Sequence, residues 1–285
     1  MLTPLDALFD ATGGADLPLP PELAVLYGAL RFATHPGRPH VIANFVTTLD
    51  GVVALDGDGT SGGGAISGNN AHDRAVMGLL RATADAVVVG AGTLRSVPKH
   101  RWTADYIYPP LRDRYHALRD ALGKTEPPLN VIVTARGDLD LTLPVFSSGE
   151  VPALIVTTAA GAERLQTQEL PVGARVAAAG DADRVSADRV SAAAVLKAVR
   201  DAQPCDVILL EGGPRLMADF FAERQLDELF LTLAPQVAGR DKQTARLALV
   251  EGAAFAPDEA IWGGLTSVKR ATSHIFLRYT FAHGP

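Results

Sequence analysis

Two aliphatic runs end in glycine-bearing turns where the chain could hold a phosphate: Ala86-Val87-Val88-Val89-Gly90-Ala91-Gly92-Thr93-Leu94-Arg95 and Val207-Ile208-Leu209-Leu210-Glu211-Gly212-Gly213-Pro214-Arg215-Leu216. Glycine removes the Cβ that would keep a pyrophosphate from backbone N–H groups, and a helix starting after the turn adds N–H donors and the positive end of its dipole. Steric need explains one such turn. Two in one chain point to a nucleotide. Thr93 offers a hydroxyl to phosphate or a cap to the following turn, and Arg95, Arg136 and Arg215 are forks matched to phosphate oxygens, each with an unliganded surface arginine as its plainer reading. Two carboxylates could do chemistry. Glu211 closes a strand read as buried on both faces, where a charge demands a ligand or a structural partner. Asp50 ends another strand and could orient a substrate, relay a proton or simply make the Asp50-Gly51 turn.

The first turn lacks the third glycine of a Rossmann fingerprint. Arg95 stands in its place, and no acidic residue ends a second strand at the expected spacing. Net charge is −6, with 47% hydrophobic and 20% charged residues; this is an ordinary globular composition and offers no basis for gripping nucleic acid or an anionic membrane. Nothing approaches the roughly 20 apolar residues of a membrane span. Cys205 is the single cysteine, which excludes an internal disulfide and a zinc site on paired cysteines and suits a cytoplasmic setting. No metal-ligating set is read from the sequence. Met1 to Pro21 lacks the basic-then-apolar order of a signal peptide.

The elements that must position these residues follow from periodicity. Residues 1–37 read as an N-terminal extension with one helix, Glu22 to Ala33, ended by His35-Pro36-Gly37; residues 38–285 read as one domain. His40 to Leu49 is the first strand, Val52 to Asn70 a glycine-rich irregular loop, and Asn70 to Ala84 a helix leading into the first glycine turn. Residues 96–128 form an insertion with an amphipathic helix from Leu111 to Leu122. Strands are expected at Leu129 to Thr134, Ala153 to Thr157, Arg175 to Ala178, Leu226 to Ala234 and Ile275 to Phe281. Helices are expected near Ala160 to Leu170, from the Ser191 cap to Ala202, and from Leu216 to Glu223. Strands alternating with helices predict a three-layer αβα fold on a mostly parallel sheet, and the two late strands an antiparallel edge.

Five segments then carry a resemblance: Thr47-Thr48-Leu49-Asp50-Gly51, Leu79-Leu80-Arg81-Ala82-Thr83-Ala84-Asp85-Ala86, Val89-Gly90-Ala91-Gly92-Thr93, Glu211-Gly212-Gly213-Pro214 and Leu226-Asp227-Glu228-Leu229. In this order they resemble the riboflavin-biosynthesis reductases, the RibD C-terminal domain family of the dihydrofolate reductase-like superfamily, over about residues 40 to 282. The resemblance implies a stand-alone NADPH-dependent reductase of a pyrimidine substrate, with hydride going to a ribosyl carbon. Reduction of dihydrofolate or another pterin-like compound, and NADP binding without turnover, are the alternatives.

It further implies that Gly212, Gly213, Pro214, Arg215 and Leu216 hold the pyrophosphate, with Gly90, Gly92, Thr93 and Arg95 opposite. Thr134 and Arg136 would meet the adenosine ribose and its 2′-phosphate, and Val46 and Ile66 the nicotinamide. Asp50 and Glu211 are expected as catalytic or substrate-binding carboxylates and Arg81 as a substrate contact. Family members commonly form homodimers. The chain departs from the family at Val52, at Ala65-Ile66 and at Ser96-Val97-Pro98, all near the expected substrate rather than the cofactor.

Overall fold

A computed structural model describes residues 2–55, 63–179, 189–241 and 243–282 of the protein. The N-terminal part contains β1 (Asp6–Asp10), β2 (Ala15–Asp16), α1 (Pro21–Tyr27), β3 (Arg31–Phe32), β4 (His40–Thr47) and β5 (Ala54–Leu55). Then come α2 (Gly63–Ser67), α3 (Ala71–Thr83), β6 (Ala86–Gly90), α4 (Ala91–Ser96), α5 (Ala104–Ile107), α6 (Arg112–Ala121) and β7 (Leu129–Thr134). The chain continues through α7 (Pro144–Ser147), β8 (Ala153–Thr157), α8 (Ala159–Gln166), β9 (Ala174–Ala178), α9 (Ala192–Ala202) and β10 (Val207–Leu210). It closes with α10 (Pro214–Ala222), β11 (Glu228–Leu233), β12 (Arg246–Leu247), β13 (Gly263–Ala271) and β14 (His274–Phe281).

A ten-stranded sheet in the order β1-β13-β14-β11-β4-β10-β6-β7-β8-β9 organises the molecule. From β11 to β9 every neighbour is parallel; β14, β13 and β1 continue it antiparallel. The strands' side chains alternate between two cores. Ile42, Val87, Val89, Ile155 and Leu209 face one, with Leu79 and Leu80 of α3 and Leu118 of α6. Val41, Val88, Leu154, Ile208 and Leu210 face the other, with Val195 and Val199 of α9 and Phe220 of α10. This is the expected three-layer arrangement: a parallel strand covered by helices on both faces is aliphatic throughout.

Two expectations need correction. The first helix stops at Tyr27 rather than Ala33, because Gly28 at φ +85° turns the chain out of the helix. Leu30 is still fully buried, but from a non-helical approach to β3. The antiparallel edge is also larger than two late strands. Strand β13 precedes β14, and the N-terminal segment adds β1 outside it with all five side chains exposed. Residues 56–62 of the glycine-rich loop lie outside the described residues; its flanks form β5 and α2.

Candidate active site

The carboxyl ends of the parallel strands bring the two glycine turns together. Strand β10 lies between β4 and β6, and Leu210 pairs with Ala43 on one side and Val88 on the other. Strand β4 runs on to Thr47 alongside β11, so the early end of β10 makes a notch that its glycine turn occupies. Gly90 N–H donates to Gly212 O at 3.2 Å, and Glu211 N–H donates to Val88 O at 3.0 Å. Gly212 has φ +152°, and a Cβ there would stand 2.6 Å from Thr93 Oγ1. Thr93 therefore fills the space that only glycine leaves. Gly213, at φ +89°, lies close enough that its Cβ would meet Gly90 Cα at 3.8 Å, and Pro214 follows as the first residue of α10, where its fixed φ and missing N–H suit a helix start.

Around this joint the expected cofactor residues fall on one edge of the sheet. Gly92 and Arg95 lie on α4 and are exposed, as are Arg136 just beyond β7 and Arg215 in the first turn of α10. Thr134 ends β7 and is buried, as is Leu216. Val46 and Ile66 meet in a small apolar cluster with Ala234 at the other side of the notch.

Glu211 and Arg81 are brought into direct contact. Arg81 Nε donates to both carboxylate oxygens at 2.9 and 3.0 Å, and Nη2 donates to Oε2 at 2.6 Å. The side chains are only 2% and 4% exposed. Arg81 Nη1 also donates to Thr103 O at 3.0 Å, and Nη2 stands 3.0 Å from His100 Nε2. Burial, reinforced by the Arg81 charge, lowers the His100 pKa to about 2. The imidazole is neutral and accepts from the guanidinium.

Asp50 is placed differently. It is exposed, and its carboxylate accepts from Thr48 Oγ1 at 2.6 Å and from the N–H groups of Ala238 and Gly239 at 3.0 and 2.8 Å. The Thr48 hydroxyl, with those amides, holds its pKa down to about 2. Asp50 thus fastens the loop after β11 to the end of β4.

Two groups of this region escaped the sequence reading as site residues. His100 comes from the insertion, and no fixed spacing in the sequence links it to Arg81. Asp73 was readable only as a complement to the α3 dipole. It is buried at 4% exposure, and burial pushes its carboxyl pKa up against hydrogen bonds from Thr232 and Ser67. Thr232 pairs with Val46, and Ser67 follows Ile66, so this reluctant acid borders the apolar cluster.

A mostly parallel αβα sheet with glycine turns meeting at its carboxyl edge is an α/β fold of the dihydrofolate reductase-like class. Residues 39–252 match the profile of the RibD C-terminal domain, and the chain belongs to that family. It is 28% identical over 213 residues to the 2,5-diamino-6-ribosylamino-4(3H)-pyrimidinone 5′-phosphate reductase of Archaeoglobus fulgidus, covering 73% of this chain and 85% of that one. It is 21% identical over 202 residues to the riboflavin biosynthesis protein RibD of Aquifex aeolicus, covering 71% of this chain. The matched part spans about half of that relative, 48%. A pyrimidine reductase-like protein from Corynebacterium diphtheriae shares the fold with a TM-score of 0.67 at 23% identity, covering 92% of this chain and 98% of that one.

Proposed function

We propose that the chain is an NADPH-dependent reductase that converts the ribosyl group of a phosphorylated aminopyrimidine to ribityl. The observation that carries this reading is the Gly90 to Gly212 hydrogen bond, which makes one cradle from two distant glycine turns. The cradle suits a dinucleotide: Gly212 has no room for a Cβ beside Thr93, and three exposed arginines, Arg95, Arg136 and Arg215, flank the edge. Gly212, Gly213, Pro214, Arg215 and Leu216 would hold the pyrophosphate against Gly90, Gly92 and Thr93. Thr134 and Arg136 would take the adenosine ribose and 2′-phosphate, and Val46 and Ile66 would form the apolar wall for the nicotinamide.

When bound, NADPH supplies a hydride donor. The protein's own work is to orient and to exclude water. Glu211 accepts ring or amino N–H groups of the pyrimidine with the acceptor capacity that Arg81 does not use. Arg81, fixed by Thr103 and His100, keeps that carboxylate aimed. Asp50 shapes the rim of the substrate side through the 238–239 loop. A homodimer in the cytoplasm completes the proposal.

The test follows the absorbance of reduced nicotinamide with the diaminopyrimidinone ribosyl phosphate, its aminouracil counterpart, dihydrofolate and a blank. Oxidation with a pyrimidine phosphate alone is expected. Oxidation with dihydrofolate alone would move the substrate to the pterins, and tight NADPH binding without oxidation would leave a non-catalytic protein. Replacing Arg136 by Ala should weaken NADPH at least tenfold and NADH little; an unchanged ratio would assign the 2′-phosphate to Arg95 or Arg215.

A further inference from the structure

At the opposite end of the same strands, three side chains converge that the reductase reading does not use. His35 Nε2 lies 3.0 Å from His40 Nδ1 and 3.2 Å from Asp227 Oδ1. His40 Nδ1 lies 3.7 Å from Asp227 Oδ2. Two imidazole nitrogens and a carboxylate oxygen are a donor set for a first-row divalent ion, zinc above all. With metal–ligand bonds of about 2.0–2.1 Å, tetrahedral ligands stand about 3.3–3.4 Å apart. The nitrogen pair at 3.0 Å and the His35–Oδ1 pair at 3.2 Å lie just inside that value, and His40 faces the other Asp227 oxygen, Oδ2, at 3.7 Å.

The surroundings support each ligand. The second nitrogen of His40 faces Glu228 Oε1 at 3.3 Å, and Glu228 is held in turn by Arg278 Nε at 2.5 Å. A carboxylate beside the second ring nitrogen is the usual neighbour of a metal-bound histidine. Asp227 is anchored by Arg38, which donates to both oxygens at 2.8 Å, and by Val41 N–H, which donates to Oδ2 at 2.8 Å. Oδ1 faces His35 Nε2. The Arg38 guanidinium is thereby spent on neutralising Asp227.

The site is also reachable. The His40 and Asp227 side chains are 4% and 5% exposed, whereas that of His35 is 25% exposed. His35 lines a surface cavity of about 330 Å³ together with Arg38, Cys205 and the carboxylate-bearing Asp206. A fourth ligand, water or another small donor, could reach an ion from there.

We propose that His35, His40 and Asp227 form a binding site for one divalent transition-metal ion, zinc being the best match. It lies at the amino end of the sheet, away from the glycine cradle. Such an ion ties the segment before β4 to the start of β11 and has a structural task.

The untagged full chain, stripped with a chelator, is titrated with zinc and with cobalt by calorimetry and visible absorption. One ion per chain is expected, with the absorption band of tetrahedral cobalt and a zinc-dependent rise in melting temperature. His35→Ala, a change at the partly exposed ligand, should remove the cobalt band and weaken zinc at least about tenfold, the lower end of what even a supporting residue costs. His40→Gln should do the same from inside. Absence of uptake by the unmodified chain overturns the proposal, as does equal affinity in both variants when their circular dichroism is unchanged.

Discussion

The two ends of the central strands are built on different plans. At the amino ends, carboxylates tie down backbone: Asp85 Oδ2 accepts from the N–H groups of Asp206 and Val207 at 2.8 and 2.9 Å, and Lys124 Nζ meets Oδ1 at 2.6 Å. Asp227 likewise accepts from Val41 N–H under the fork of Arg38. An acid that collects amides starts the next strand at a fixed height. At the carboxyl ends, glycines stand at the turns, and the buried acid Glu211 is gripped by the side chain of Arg81. On the proposed function, the amino edge fixes the sheet and the carboxyl edge receives the cofactor and substrate.

The largest expected effect tests the grip on Glu211. Glu211→Gln leaves Arg81 as a buried cation without its counter-charge and should cost about 3–5 kcal/mol in urea unfolding. The double variant Arg81→Met, Glu211→Leu should recover most of that stability while turnover stays lost. Recovery of both would make the pair purely structural. At the amino edge, Asp227→Asn should cost about 1.5–3 kcal/mol, the range for hydrogen bonds to a charged group, with the KM for NADPH unchanged. A shift in KM would break the division between the edges.

Gly212→Ala should cost about 1–3 kcal/mol through overpacking against Thr93, yet weaken NADPH at least tenfold by fluorescence titration. An unaltered Kd would remove the cradle from the cofactor. The smallest effect concerns His100, whose pKa falls from 6.5 unfolded to about 2 folded. Between those values the unfolded chain binds more protons, so this contribution is complete above about pH 6.5 and is lost as pH falls toward 2. His100→Gln should flatten that part of the stability curve, read from urea midpoints at about pH 7.5 and about pH 5.

The parallel strands were legible because both of their faces are aliphatic; Leu129–Thr134 and Ala153–Thr157 fall where the sequence places them. Strand β13 was not legible. Its inward positions include Ser267 and Lys269, 2% and 3% exposed, so no apolar alternation announces it. Lys269 is accommodated by Asp10 at 3.6 Å and by the Tyr27 ring, partners from the N-terminal segment that local pattern does not reveal. Arg81 and Glu211 were legible as residues but not as each other's partners, since their meeting depends on β10 entering beside β6. Asp50 reads identically as a turn or a catalytic acid. Only the position of the 238–239 amides shows what it holds.

That late insertion of β10 has a kinetic side. Strands β4 and β6 are near in the chain, yet in the sheet β10 separates them, and the bond from Gly90 to Gly212 closes a loop of more than a hundred residues. Contacts of such long range form only after their loop-closure entropy has been met. A nascent chain ending before residue 207 has its first glycine turn but no cradle, so acquisition of the proposed cofactor site coincides with completion of the sheet's centre.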